Sequence, residues 1–417
     1  MDAPDLSPLR ARFPGLSRTM DGRPCVFADS PGGSQVPDAV IEATVEYLRT
    51  SNANTHGAFA TSEKTDALVA RARRAGAAFT GADPDEIVFG PNATTLLFHL
   101  SRSIARTLGP GDEVVVTVLD HDANITPWTM AAEDTGATVR MVDIRDEDVT
   151  LDLGSFDAAL GPQARVVAFT LASNAVGTVT PAADLVRRVR ERAPGAIVCV
   201  DAVHAAQHQP LDLHGLGADV LACSPYKFFG PHLGMLAARR DLLATLMPYK
   251  VRPAEDYVPD RWETGTKDHE ALAGLVAAVE YLAGIGHGYG VPTGPTLRER
   301  VVAGMEAIRA YERSLSVRFI EGAARTPGLR LYGIADAARF GERTPTFAVR
   351  AGGRHPLETA KALGERGIFV WDGHYYALAL MERLGLQDTG GAVRVGFCHY
   401  NTADEVDRVL EELAALC

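Results

Sequence analysis

Between residues 85 and 225 or so, short and almost unbroken apolar runs alternate with longer segments of helical period. No other feature restricts the fold as much. The runs are "DEIVFG", "DEVVVTV", "ATVRMVDI", "ARVVAFTL", "AIVCVDA" and "DVLACS", with "TTLLFHLSRSIARTLG" and "AADLVRRVRERAPG" among the stretches between them. A strand without polar alternation needs cover on both faces, and strands joined through helices run parallel. The expectation is an α/β chain built on a mostly parallel sheet. Ligands of such sheets gather beyond the carboxyl ends of the strands.

The residues at those ends are chemically active types. Asp201 follows "AIVCV", and Ser224, Pro225, Tyr226 and Lys227 follow "DVLAC". Asn174 lies in "SNAVGT", His121 in "DHDANITPW", and Thr94 and Thr95 open a helix after "GPNA". Singly, each has a plain structural reading: Asp201 as a helix cap, Asn174 as a turn residue, His121 as a satisfied core histidine, the threonines as helix starters. Together they place an acid, an amine, an imidazole, an amide and a hydroxyl-rich helix start on one sheet edge.

Lys227 sharpens the argument. Only five lysines occur among 41 basic residues, yet one sits in "CSPYKFFGP", between a serine, a proline and three aromatics. Arginine serves as a surface charge; an amine that must lose its proton and attack a carbonyl has to be lysine. Pyridoxal 5′-phosphate asks for this set: a lysine for its aldehyde, a carboxylate for its ring nitrogen, a helix N-terminus for its phosphate and a flat side chain against its ring.

A net charge of −12 argues against nucleic acid or an anionic membrane surface as the main partner. The five cysteines are scattered, odd in number and without CxxC spacing, so no metal site is expected and a reducing, cytoplasmic setting is. The N-terminal stretch lacks the apolar core of a signal peptide. "ALAGLVAAVEYLAGIG", interrupted by Glu280 and short for a bilayer span, reads as a buried core helix. A Gly/Pro-rich break at 284–296 divides the chain into an N-terminal segment 1–25, a large domain 26–288 and a smaller α+β domain 289–417 with two helices and a few strands. No internal repeat or low-complexity tract is present.

The block "VDAVHAAQHQPLDLHGLGADVLACSPYKFFGPHLGML" resembles the active-site region of class V aminotransferases, in particular the cysteine desulfurase and selenocysteine lyase group. From about residue 28 to the C-terminus, "DHDANITPW", "SNAVGT", "ETGT" and "RVGFCHYNTADEVDRV" follow in the family's order. The resemblance implies a fold-type-I, aspartate aminotransferase-like PLP enzyme with a seven-stranded large-domain sheet. It implies Lys227 as the lysine that binds the cofactor and moves the Cα proton, with Asp201 at the ring nitrogen. His121 would stack on the ring, and Asn174 and His204 would approach its oxygen, where the family usually has glutamine at the latter place. Thr94, Thr95, Ser224 and Tyr226 would hold the phosphate, and Gly265 and Thr266 would reach the phosphate of a neighbouring subunit in a homodimer. Arg394 would grip the substrate carboxylate, and Asn52 and His56 would line the entrance.

One departure matters most. The desulfurase loop carries a cysteine in a sequence much like "GHHCA"; here it reads Gly373-His374-Tyr375-Tyr376-Ala377, and no cysteine lies between Cys223 and Cys398. A phenol forms no persulfide. Trp371 and Asp372 also stand where the group commonly has an arginine and a small polar residue. The pocket is therefore expected to suit a larger or less anionic amino acid, with His374, Tyr375 or Tyr376 donating a proton. A Cβ–S lyase acting on a cysteine-derived amino acid is the leading expectation. An aminotransferase or epimerase, a desulfurase by another route, and a non-catalytic PLP-binding regulatory dimer are the alternatives.

Overall fold

The computed structural model describes residues 4–417, apart from the side chains of residues 337 and 338, so the first three residues of the N-terminal segment 1–25 lie outside it. Seven strands form the main sheet: β1 (Ile87–Gly90), β2 (Glu113–Thr117), β3 (Thr138–Val142), β4 (Ala164–Thr170), β5 (Ile197–Asp201), β6 (Val220–Cys223) and β7 (Gly234–Ala238). Their order is β1-β7-β6-β5-β4-β2-β3. All pairings are parallel except those of β7, which runs against both β1 and β6. The expected mostly parallel seven-stranded sheet is present. The six apolar runs are six of its strands, and "GMLAA" supplies the seventh.

Both faces are covered, as unbroken apolar strands require. Alternate residues of each strand enter different cores: Val115, Val167, Val198 and Leu221 join one cluster, and Val114, Val166, Cys199 and Val220 the other. Two devices fix the helix over the site. Asn92 caps Ala93–Ala105 by accepting from the Thr95 amide, and Ser224 Oγ accepts from the Ala93 amide.

The apolar segment read as short is a 20-residue helix, His269–Gly288, long and apolar enough to cross a membrane by length and composition alone. It packs instead between Asp38–Thr50, Ala60–Thr80 and Leu297–Ala324, with 67% of its most apolar window buried, so it is the core helix expected. Glu280 is tolerated because it lies on the exposed side, near Arg71.

After the break, helix Leu297–Ala324 leads into a four-stranded antiparallel sheet: β8 (Leu329–Tyr332), β9 (Thr346–Ala351), β10 (Trp371–Gly373) and β11 (Ala392–Gly396), in the order β8-β9-β11-β10. Four α-helices rather than two accompany it: Leu297–Ala324, Pro356–Glu365, Leu378–Arg383 and Ala403–Ala414. Leu378–Arg383 lies where apolar Leu378, Leu380 and Met381 after "GHYYA" indicate a helix, whereas Pro356–Glu365 escaped notice because ten residues are too few for a clear period. Residues 26–27 pair in parallel with 368–369. Phe13 packs edge-on against a cluster of Phe229, Tyr281, His399 and Tyr400, and Arg10 pairs with Glu405 at 2.9 Å.

Candidate active site

A cavity of about 960 Å³ opens at the carboxyl ends of β4, β5 and β6, bounded across the opening by β10, β11 and the loop between β10 and helix Leu378–Arg383. Its wall brings together Thr94, Thr95, His121, Asn174, Asp201, His204, Ser224, Tyr226, Lys227, Trp371, His374, Tyr375, Tyr376 and Arg394. Fourteen of the eighteen residues singled out in the sequence thus meet in one place.

Lys227 follows β6 in a short 3₁₀ turn begun by Ser224 and Pro225. Its Nζ donates to the Pro31 carbonyl, and its ammonium lies 5.1 Å from the centre of the Tyr226 ring. Burial, reinforced by the Arg394 charge and only partly offset by Asp201, brings its pKa down to about 7. Asp201 ends β5 and accepts from the Val203 amide at 2.8 Å; burial lifts its carboxyl to about 6 against that bond and the Lys227 charge.

His121 ends the loop after β2. Its Nδ1 accepts from the Ala123 amide at 3.0 Å, which leaves Nε2 to carry the proton. Burial first, then Lys227 and Arg394, depress its pKa to about 4, so the ring is neutral. Beneath it runs a buried chain that the sequence reading missed. Trp128 Nε1 donates to Asn124 Oδ1 at 3.0 Å, Asn124 Nδ2 to Asp120 Oδ1 at 2.7 Å, and Thr117 Oγ1 to Asp120 Oδ2. The acid in "LDHD" was the available signal.

Arg394 lies on β11 directly opposite Trp371 on β10, so the two side chains share a face. Its guanidinium sits 4.5 Å from the centre of the Tyr375 ring and donates to the Asn174 carbonyl at 3.0 Å. Asn174 Nδ2 returns a bond to the Tyr375 carbonyl at 2.9 Å. Burial lowers Arg394 to about 10 even with Tyr375 and Asp29 nearby, and Asp29, itself raised to about 6 by burial, is a second residue that went unremarked.

The loop at 373–377 is pinned. Gly373, Tyr375 and Tyr376 all have positive φ, at 101°, 51° and 58°, and two consecutive tyrosines in that region need external support. The Tyr375 hydroxyl donates to the Ala392 carbonyl, the Tyr376 carbonyl accepts from the Asp122 amide at 2.7 Å, and the Tyr376 ring stacks on His121 at 5.4 Å. Tyr375 therefore has its proton committed to a carbonyl, and burial raises its pKa further. The expectation that it donates to a leaving group is corrected: it is held as a prop for Arg394. Tyr376, 67% exposed, stands at the cavity mouth.

Four residues fall elsewhere. Gly265 and Thr266 line an adjoining cavity of about 680 Å³ that shares Pro91, Thr95 and His232 with the first. Asn52 and His56 line neither; His56 is exposed beside Asp66, so the entrance expected of them is not on this chain's own cavity.

The wall fits pyridoxal 5′-phosphate on its own terms. Three buried polar atoms around it, Asn174 Oδ1, His204 Nδ1 and Arg394 Nε, lack partners. The first turn of Ala93–Ala105 turns its N–H end toward the opening with Thr94, Thr95 and Ser224 hydroxyls beside it. No thiol lines the cavity among the described residues. Cys199, Cys223 and Cys398 are buried, and that burial drives their pKa values upward.

A family model described as aminotransferase class-V matches residues 26–288 and 297–409. The chain is 37% identical to a probable cysteine desulfurase of Mycobacterium leprae, over 97% of this chain and 95% of the relative. It is 30% identical to a cysteine desulfurase of Pectobacterium atrosepticum, over 97% and 96%. Among solved structures, an apo cysteine desulfurase of Thermococcus onnurineus superposes with a TM-score of 0.87 at 27% identity, covering 100% of this chain and 98% of that one. A cysteine desulfurase of Escherichia coli superposes with a TM-score of 0.82 at 26% identity, covering 99% and 98%.

Proposed function

The chain belongs to the aminotransferase class-V family and is a pyridoxal 5′-phosphate-dependent enzyme; from that premise we propose that it is a lyase which breaks the Cβ–S bond of a cysteine-derived amino acid without passing sulfur to a cysteine of its own. One observation carries this reading. Tyr376 occupies the loop position where a desulfurase needs its thiol, and no described cysteine borders the cavity.

When bound, the cofactor supplies an aldehyde for a Schiff base and a protonated ring that stores electrons as the Cα proton leaves. Lys227 holds the cofactor and, with its pKa near 7, gains and loses a proton readily at its Nζ. Asp201 keeps the ring nitrogen protonated, His121 lies against the ring as a neutral imidazole, and Asn174 and His204 face its oxygen. Thr94, Thr95, Ser224 and Tyr226 hold the phosphate. Arg394, propped by Tyr375, orients the substrate carboxylate. His374 or Tyr376 gives the departing thiol its proton, while Trp371 walls the side-chain space. The Cα–H and Cβ–S bonds break, the thiol leaves, and the released enamine takes up water to give pyruvate and ammonia.

The same reading makes the active unit a homodimer, with Gly265 and Thr266 serving the partner's phosphate and the "SNANTHGAF" segment of Asn52 and His56 at the partner's entrance. It divides the chain into 1–25, 26–288 and 289–417. A cytoplasmic location is supported by five free cysteines, four of them buried and reduced. The deciding assay offers the holoenzyme a series of S-substituted cysteines and measures pyruvate together with the released thiol. Equal amounts of both are expected from at least one; pyruvate from none rejects the lyase.

A further inference from the structure

Two large aromatic side chains border the cavity and stay uncovered. Trp371 is 51% exposed and Tyr376 67%, although both belong to a concave wall. Exposed rings in a hollow differ from scattered surface aromatics, because a ligand lying there takes them out of water without any change in the chain. Each ring has a fixed seat. Tyr376 lies nearly parallel to His121, at an interplanar angle of 15°, and its amide donates to His374 Nδ1 at 3.0 Å. Trp371 lies so close to Gly32 that a Cβ at residue 32 would overlap the indole at Nε1, Cε2 and Cδ1. Gly32 has no positive φ, so its backbone does not call for glycine. The indole does.

Charge narrows what can lie against these rings. Among the described residues, Lys227 and Arg394 are the only lysine or arginine bordering the cavity, and the cofactor and the substrate carboxylate take both. None remains for an anionic substituent. A cationic one finds no free anion at the indole. Trp371 pairs with Arg394 across the sheet and Asp372 with Val393, so the Asp372 side chain belongs to the opposite face. Asp122 is engaged, its Oδ2 accepting from the Thr126 hydroxyl at 2.7 Å. The Arg394 guanidinium, on the same face as the indole, also repels a second cation. A neutral flat group leaves no charge desolvated, and it covers the face of an indole more fully than an aliphatic chain does.

We propose that the sulfur of the substrate carries a neutral aromatic group, received by Trp371 and Tyr376, with Gly32 making room for the indole; this substrate class rests on the lyase proposed above. Trp371 and Tyr376 thereby choose the amino acid by its far end, while Arg394 holds its carboxylate.

The test separates binding from bond breaking. Four amino acids share one methylene stem and differ at its end: 2-amino-5-phenylpentanoate ends in phenyl, 2-aminohexanoate in methyl, 2-aminoadipate in carboxylate and ornithine in ammonium. None has a Cβ–S bond, so the change each causes in the visible absorbance of the holoenzyme gives its Kd. The phenyl compound is expected to bind at least about tenfold more tightly than each of the others, and Trp371→Ala to cut that preference to about threefold or less. Gly32→Ala, which pushes the indole off its seat, is expected to cut it as well; should either variant fail to fold, the other decides. Ornithine, 2-aminoadipate or 2-aminohexanoate binding as tightly as the phenyl compound would overturn the proposal, and so would a phenyl preference that survives both substitutions. S-benzylcysteine is then offered in the pyruvate assay. A phenyl preference with pyruvate from no S-substituted cysteine overturns the lyase alone, whereas pyruvate without a phenyl preference overturns the aromatic class alone.

Discussion

In the proposed lyase the chemistry turns on Lys227, a primary amine whose pKa falls to about 7 beside the carboxylate of Asp201. Lys227→Ala should leave no peptide labelled after borohydride reduction, and the visible band should not survive gel filtration. Arg394→Lys tests the carboxylate grip. Lysine cannot span a carboxylate with two parallel bonds or lie flat on Tyr375, so KM for the amino acid should rise by roughly 10- to 100-fold, equivalent to about 1.4 to 2.8 kcal/mol. His121 adds a pH dependence. Its pKa is depressed from 6.5 to about 4, so below pH 6.5 the unfolded chain takes up a proton that the folded chain refuses until about pH 4. Folded stability therefore falls as pH drops through that window. Asp29 and Asp201, each raised to about 6, act in the opposite sense between 3.8 and 6. His121→Phe should lessen the loss of urea resistance between pH 6.5 and pH 4, and an unchanged pH profile would contradict the assignment.

The elements around the cavity are held by polar anchors with no period in the sequence. Arg73 on helix Ala60–Thr80 donates to Glu263 at 3.1 and 2.9 Å, to Asp260 at 2.9 Å and to the Ile87 carbonyl at 2.6 Å. Lys267 meets the same Glu263 at 2.7 Å, and the Phe89 amide bonds it at 2.9 Å. This cluster presents the Thr264–Gly265–Thr266 turn at the end of β1. Glu263→Gln leaves Arg73 and Lys267 to share Asp260 as their one remaining anion in a largely buried place, so unfolding free energy should drop by about 3 kcal/mol, read from denaturant midpoints. Arg343 plays a similar part on the other side. It donates to the carbonyls of Ile334, Val176 and Thr346, joining the "SNAVGT" loop to the start of β9, where Thr346 meets His204, and burial alone lowers its pKa to about 9.

At the scale of the whole molecule, the prediction concerns shared sites. If Gly265 and Thr266 complete a partner's cavity, two inactive variants should complement each other. A Lys227→Ala chain mixed with a Thr266→Glu chain would form heterodimers holding one intact site, and about a quarter of the native activity should return after subunit exchange. Complete inactivity of the exchanged mixture would place those residues in their own chain's site instead. The N-terminal segment adds a second whole-molecule tie, since Phe13 and Arg10 bridge Phe229 and Tyr281 to Tyr400 and Glu405.

How much of this was legible beforehand follows from the range of the forces involved. Unbroken apolar runs separated by helical periods specify a doubly covered parallel sheet, and that sheet puts Asp201, Ser224 and Lys227 on one edge because strand ends are local facts. The sequence also puts a tyrosine at 376, the residue on which the proposed lyase reading rests. Period says nothing about side chains that meet from separate elements. That Tyr375 props Arg394 instead of donating a proton, that Glu312 pairs with His208, and that Asn52 and His56 stay clear of this chain's own cavity were decided only by tertiary packing. Those contacts join residues about 20 to 220 positions apart, and burial there sets protonation through surroundings that no stretch of sequence contains.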